Sequence, residues 1–260
     1  MPWPSRPSAR SRAPAPEDPE TANPRQVIQQ SLNSGFQIPT QKFTAHQIFY
    51  IFVLDGIGAL ILSGAINFAI AYAMYTTQDL ETSPIRLFEL PNTLAGDAAV
   101  TIIIQCIITW LVELVLVNHD LKGGHVHPIG FIPEPSSPPV RWFLFLDNQD
   151  AETEGKPVIE RGWLARGVLF LFSQALRAFI VAVLSFCLLW GPSVGILTAV
   201  GTRRGGDWFF EKKWAPQIFK LVLGGVLGLL VTPPFAMFWL VKCGWTLQRR
   251  EDSGRGRSTP

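Results

Sequence analysis

Charged residues and cysteines are both scarce in this 260-residue chain. Asp, Glu, Lys and Arg make up 16% of it, against about a quarter in ordinary soluble domains. The cysteines, Cys106, Cys187 and Cys243, lie in or beside apolar stretches and form no CxxC pair, which favours buried thiols over a disulfide framework. The net charge of +2 provides no basic field for nucleic acid, so we expect no nucleic-acid partner.

Familiar catalytic motifs are missing as well. The sequence has no HExxH, GxxxxGK[ST] or GxGxxG, and each of these carries a specific chemistry. The lack of a nucleotide motif argues against an ATP-driven pump. We therefore assign no catalytic residue, no cofactor and no metal, and an enzyme is the less favoured class.

Long apolar runs are what the chain has instead. A bilayer core about 30 Å thick is crossed by about 20 apolar residues in a helix. Four stretches reach that length, at about 47–74, 97–117, 168–200 and 218–241. They predict an all-α integral membrane protein with a bundle of four transmembrane helices. The third stretch exceeds one span, and its membrane core is either 168–190 or 178–200. In the second case, Trp163–Arg177 is an interfacial helix.

Polar tails flank the predicted membrane domain, 46–246. Residues 1–45 are rich in Pro, Ser, Arg, Gln and Asn, and with 247–260 they are predicted to be disordered. Lys and Arg concentrate in both tails and in the 118–162 loop, which the positive-inside rule places in the cytoplasm. The opposite side is less basic but carries a group of cations: Arg86, Arg203, Arg204, Lys212 and Lys213. The plasma membrane, endoplasmic reticulum and vacuole all remain open.

A polar stripe follows the second span. It recurs every four residues, and each step drifts only about 40° around a helix: Asp97, Thr101, Gln105, Thr109 and Glu113. The first span has a related row with Asp55, Ser63 and Asn67. Such side chains join helices, line a substrate or proton path, or snorkel to the interface.

Charges inside the predicted spans lead to a pairing hypothesis. Asp55, Glu113 and Arg177 all fall in the cytoplasmic third to half of the bilayer, where an isolated charge costs about 2.5–3.5 kcal/mol. We expect Asp55 and Glu113 to pair with Arg177 or Arg166. A separate feature is the GxxxG formed by Gly224 and Gly228, which favours close helix packing, either within the bundle or between copies.

The loop after the second span holds a histidine cluster. His119, Asp120, His125 and His127 contain ligand types that suit zinc. Their spacing matches no structural zinc pattern, so surface histidines are the better interpretation. Val140–Leu146 is apolar but too short to span a membrane, and it lies flat on the leaflet or folds under the bundle.

The segment NTLAGDAAVTIIIQCIITWLVELVLVNHDLKGG, followed by PIGFIPEP and RWFLFLD, resembles a group of fungal multi-pass membrane proteins of unknown function. The resemblance covers about 44–245. It implies a helical membrane protein and carries over no functional residue.

Three functions follow from these patterns. The leading hypothesis is an organising, scaffold or accessory component of a membrane, with the lipid bilayer, other membrane proteins or a second copy as partners. The alternative is a small oligomeric channel or transporter that uses the polar stripe. The third is a lipid-directed enzyme that uses the loop histidines.

Overall fold

The computed structural model describes residues 36–77, 79, 82–144, 146, 163–212 and 214–256. The helices in this part are α1 (Ala45–Tyr75), α2 (Leu94–Lys122), α3 (Pro138–Phe143), α4 (Trp163–Val200) and α5 (Ala215–Gly256). Within α1, the stretch Phe49–Ile57 is π-helical. By length and composition, α1, α2, α4 and α5 are long and apolar enough to cross a membrane, which confirms the predicted apolar helices.

Local sequence signals begin two of these helices. At the start of α1, the backbone N–H of Gln47 donates to Thr44 Oγ1 at 3.1 Å, and the backbone N–H of Thr44 donates to Gln47 Oε1 at 3.0 Å. This capping box satisfies two otherwise unpaired donors. Thr93 caps α2 through the backbone N–H of Gly96 at 3.2 Å.

The third and fourth apolar stretches form longer helices than the sequence predicts. α4 is continuous from Trp163 to Val200 and passes through Pro192. α5 continues to Gly256, beyond the predicted start of a disordered tail. The extension has contacts at Gln248, which donates to the carbonyl of Gly130 at 2.8 Å, and at Arg249, which donates to Glu134 at 2.8 Å.

The core lies where α5 packs against both α1 and α2 and where α4 packs against α2. Trp110 of α2 is 1% exposed at the centre of this core. Its ring meets Phe235 edge-on at 5.0 Å and Trp239 at 5.5 Å. Direct contacts between α4 and α5 are few, so these helices leave a groove between them.

A small sheet departs from the all-α prediction. Its strands are β1 (Ile85–Arg86), β2 (Asn92–Thr93), β3 (Thr202–Arg204) and β4 (Asp207–Phe209), in the order β2-β1-β4-β3. The β3–β4 hairpin turns at Gly205, whose φ of +61° suits glycine. We call this end of the bundle, residues 82–93 and 201–212, the hairpin face. Strands this short have no strong hydrophobic pattern, so the sequence does not reveal them.

At the opposite end, residues 36–44, 123–144 and 146 pack under the bundle, and we call this end the N-terminal face. Thr40 bridges Ile129, and the backbone N–H of Ile129 donates to the Leu240 carbonyl at 3.1 Å. The structure thus gives contacts to residues 36–44, where composition predicts disorder. Residues 1–35 and 257–260 of the predicted tails lie outside the described residues.

Candidate functional site

A line of buried polar contacts joins α2 to α1 and α5. We call it the polar seam, and it consists of Asn67, Tyr75, Asp97, Thr101, Gln105 and Lys220. Three of these residues belong to the predicted stripe of α2. The seam begins near the hairpin face and reaches the middle of the bundle.

An ion pair forms the first part of the seam. Lys220 of α5 is 2% exposed, and its Nζ donates to Asp97 Oδ1 at 2.8 Å. Lys220 also donates to Thr101 Oγ1, and the hydroxyl of Tyr75 donates to Asp97 Oδ2 at 3.1 Å. The charge of each partner is therefore compensated inside the bundle, which is the condition for burying an ion pair.

Amides form the second part of the seam. Asn67 Nδ2 donates to Gln105 Oε1 at 2.8 Å, and Gln105 Nε2 donates to the Gly224 carbonyl at 2.8 Å. A Cβ on Gly224 would collide with the Asn67 side chain, so a glycine is needed at this crossing. The contact links three helices through a single pair of amides.

The α5 glycines pack within the bundle, against α1. The sequence alone leaves open whether they pack within the bundle or between copies. A Cβ on Gly225 would lie 2.9 Å from the Leu60 carbonyl, and one on Gly228 would lie 2.8 Å from the Ala59 carbonyl. These distances are too short for a real side chain. The GxxxG thus lets α5 approach the backbone of α1.

The other end of the polar stripe is acidic. Glu113 is 5% exposed, and its Oε2, like Asp55 Oδ2, is buried without a hydrogen-bond partner among the described residues. Asp120 accepts a hydrogen bond from the Tyr50 hydroxyl at 2.7 Å. Thr109, between Gln105 and Glu113, is half-buried.

The predicted pairing of Arg177 with these carboxylates is wrong in the described structure. The guanidinium instead donates to the carbonyls of Phe143, Trp142 and Ser173, each at 3.0 Å, and lies 4.8 Å above the Trp142 ring. The reason is tertiary, because α3 folds under the bundle and brings its carbonyls to Arg177. Of the two locations that the sequence left open for this segment, the structure shows the one under the bundle. The Arg166 side chain lies outside the described part.

The histidines do not converge. His119 and Asp120 lie on the last turn of α2 rather than in the predicted loop. The His119 side chain is exposed, and its Nδ1 lies 3.6 Å from Asp120 Oδ1. The backbone N–H of His125 donates to the Asp120 carbonyl at 2.9 Å. The His127 carbonyl accepts from Gln47 Nε2 at 2.8 Å. Within the described ranges, no three His, Cys, Asp or Glu are grouped to hold a metal.

Sequence reasoning missed Lys220 and the two tyrosines that bind Asp97 and Asp120. A signal for Lys220 exists, since it is a lone lysine within an apolar run, a type of residue that usually finds a partner. Tyr50 and Tyr75 carry no such signal, because a tyrosine near a helix end is also typical of an interface.

Asp207 holds the hairpin face together. Its carboxylate accepts the backbone N–H groups of Phe88 at 3.1 Å, Glu89 at 2.9 Å and Trp208 at 2.8 Å. Burial opposes ionisation, but these three hydrogen bonds and the positive charge of Arg86 outweigh it and hold the pKa of Asp207 below its ordinary value. The β3–β4 hairpin is thereby attached to the loop before α2.

The fold and the seam define a helical protein with four helices suited to crossing a membrane, and buried polar contacts join three of them, α1, α2 and α5. Residues 156–240 match the model of a family described as a protein of unknown function, DUF2456.

An uncharacterized protein of Schizosaccharomyces pombe is 39% identical over 199 residues, or 76% of this chain and 38% of that protein. An uncharacterized protein of Saccharomyces cerevisiae is 29% identical over 239 residues, or 72% of this chain and 75% of that protein. These findings confirm the resemblance to fungal proteins of unknown function. The chain spans less than half of the length of the S. pombe relative. No solved structure matches it.

Proposed function

We propose that the chain is an integral membrane protein that crosses the bilayer four times. The support is the outer surface of its long helices, where large apolar side chains are exposed. Examples are Ile61 at 67%, Leu62 at 64%, Phe172 at 67% and Leu188 at 66%. Water would make such a surface an aggregation site, whereas lipid solvates it. The distribution of Lys and Arg favours an N-terminal face in the cytoplasm.

Within the membrane, we infer an organising or accessory role rather than conduction. The observation that supports this role is that Asp97, Thr101 and Gln105 of the stripe bond to α1 and α5. Side chains engaged in this way act as contacts between helices. The N-terminal face then presents exposed apolar groups for a partner, including Trp142 at 46% and Val140 at 42%.

Proteoliposomes and crosslinking test the role together. Liposomes containing the purified chain should show no more proton or potassium flux than protein-free liposomes. In native membranes, a photo-crosslinker at Val140 should give a discrete protein adduct, whereas one at Leu188, on the exposed face of α4, should crosslink lipid. Flux through the wild-type chain that disappears in a folded Gln105→Leu variant would overturn the accessory role.

A transporter remains the second candidate because of the acidic end. One carboxyl oxygen of Asp55 and one of Glu113 are buried with no hydrogen-bond partner in the part of the chain that the structure describes, unlike the bonded residues of the stripe. Buried ionisable groups of this kind mark ion or proton paths in other membrane proteins. The π-helical stretch that contains Asp55 is also a feature found often at functional sites. This candidate predicts that Glu113→Gln abolishes flux while leaving the chain folded.

A further inference from the structure

A groove of about 640 Å³ separates the second half of α4 from the first half of α5. Its walls are apolar side chains from Leu189–Val200 and from Ala215–Val226, and Phe210 closes it at the hairpin face. The groove exists because both helices pack on α2 and make few contacts with each other.

One end of the groove is cationic. Lys212, which is exposed, lies among the lining residues at the hairpin face beside Trp214. Apart from Lys212 and Ser193, nearly all of the lining is hydrocarbon or aromatic. The site is therefore amphipathic, with a positive charge at the level of the loops and an apolar channel that leads away from it.

The length of the groove matches one leaflet. From Ala215 to Val226 the helix rises about 16 Å at 1.5 Å per residue, and the hydrocarbon core of a bilayer is about 30 Å thick. A single hydrocarbon chain anchored at Lys212 would thus reach the middle of the bilayer.

We propose that this groove binds an anionic phospholipid, with one acyl chain between α4 and α5 and the headgroup phosphate at Lys212. The assignment rests on the proposed membrane integration. The cation at the mouth attracts the anionic headgroup by charge, and the apolar walls hold the acyl chain through dispersion contacts.

Native mass spectrometry of the full chain in detergent tests the site, with phosphatidylglycerol and phosphatidylcholine of the same acyl chains as probes. Lys212→Gln should weaken phosphatidylglycerol binding about fivefold, the effect of one lysine near a lipid surface, and leave phosphatidylcholine unchanged. Ile196→Trp should fill the groove and abolish binding of both lipids. The matched controls are Lys42→Gln, an exposed lysine on the N-terminal face, and Leu188→Trp, on the outer side of α4.

The outcomes separate the site from the proposed function. If carbonate at high pH extracts the chain from membranes without detergent, membrane integration fails and the lipid site fails with it. If the chain stays in the membrane but Ile196→Trp binds lipid like the wild type, only the groove assignment is overturned. Equal losses for both lipids in Lys212→Gln would overturn the headgroup assignment. A dimer that Ile196→Trp abolishes, without lipid adducts, would overturn lipid as the occupant.

Discussion

Lys220 and Asp97 show how one lysine in an apolar helix is accommodated. Lys220 is 2% exposed and meets both a carboxylate and a hydroxyl of α2. Breaking a buried pair by removing one partner leaves the other charge uncompensated, which is more damaging than removing both. Replacing Lys220 alone should therefore cost more stability than replacing Lys220 and Asp97 together.

We expect Lys220→Met to destabilise the chain by about 3–5 kcal/mol, because Asp97 loses its counterion inside the bundle. Adding Asp97→Asn should restore most of the loss, since the amide still accepts from Tyr75. Thermal unfolding in detergent, followed by tryptophan fluorescence, measures both effects. Lys42→Met is the control for an exposed lysine, and an unfolding temperature of Lys220→Met equal to that of the control would contradict the prediction.

At the scale of elements, α5 approaches the backbone of α1 closely. This approach depends on glycines, because a Cβ at Gly228 would meet the Ala59 carbonyl at 2.8 Å and Ser63 Oγ at 3.0 Å. A backbone atom cannot turn aside as a side chain can. The Asn67–Gln105–Gly224 contact lies on the same crossing, so separating the helices would also break the seam.

Gly228→Ala should therefore lower stability by about 1–3 kcal/mol through overpacking. Gly195→Ala on α4 is the matched control, since its Cβ meets nothing within 4 Å and alanine favours a helix by up to about 1 kcal/mol over glycine. Thermal unfolding in the same detergent compares the two variants. Equal changes of the unfolding temperature in both variants would show that helix propensity, and not the close approach to α1, determines the effect of Gly228→Ala.

At the scale of the whole molecule, the four long helices of the described residues run alternately up and down, so their connections gather at two opposite ends, the N-terminal face and the hairpin face. Residues 36–44, residues 123–144 and the end of α5 meet at one end. The loops before α2 and before α5 meet in the sheet at the other end. A membrane between these ends would place them on opposite sides.

Single cysteines test this arrangement in a background where Cys106, Cys187 and Cys243 are replaced. A cysteine at Gly206, exposed on the hairpin face, should react with an impermeant maleimide from the external or lumenal side. A cysteine at Ser137, exposed on the N-terminal face, should react only after permeabilisation. The reverse pattern would invert the orientation, and labelling of both positions before permeabilisation would contradict four spans.

The sequence by itself determines the four long apolar helices and the inward polar face of α2, because hydrophobic length and a four-residue spacing are local properties of the chain. Only the tertiary structure decides the partners. Arg177 bonds to carbonyls of α3 rather than to Asp55 or Glu113, and Asp97 meets Lys220 from a helix more than a hundred residues away. Those choices depend on which helices pack together and how closely glycine lets them approach, and no local pattern encodes that.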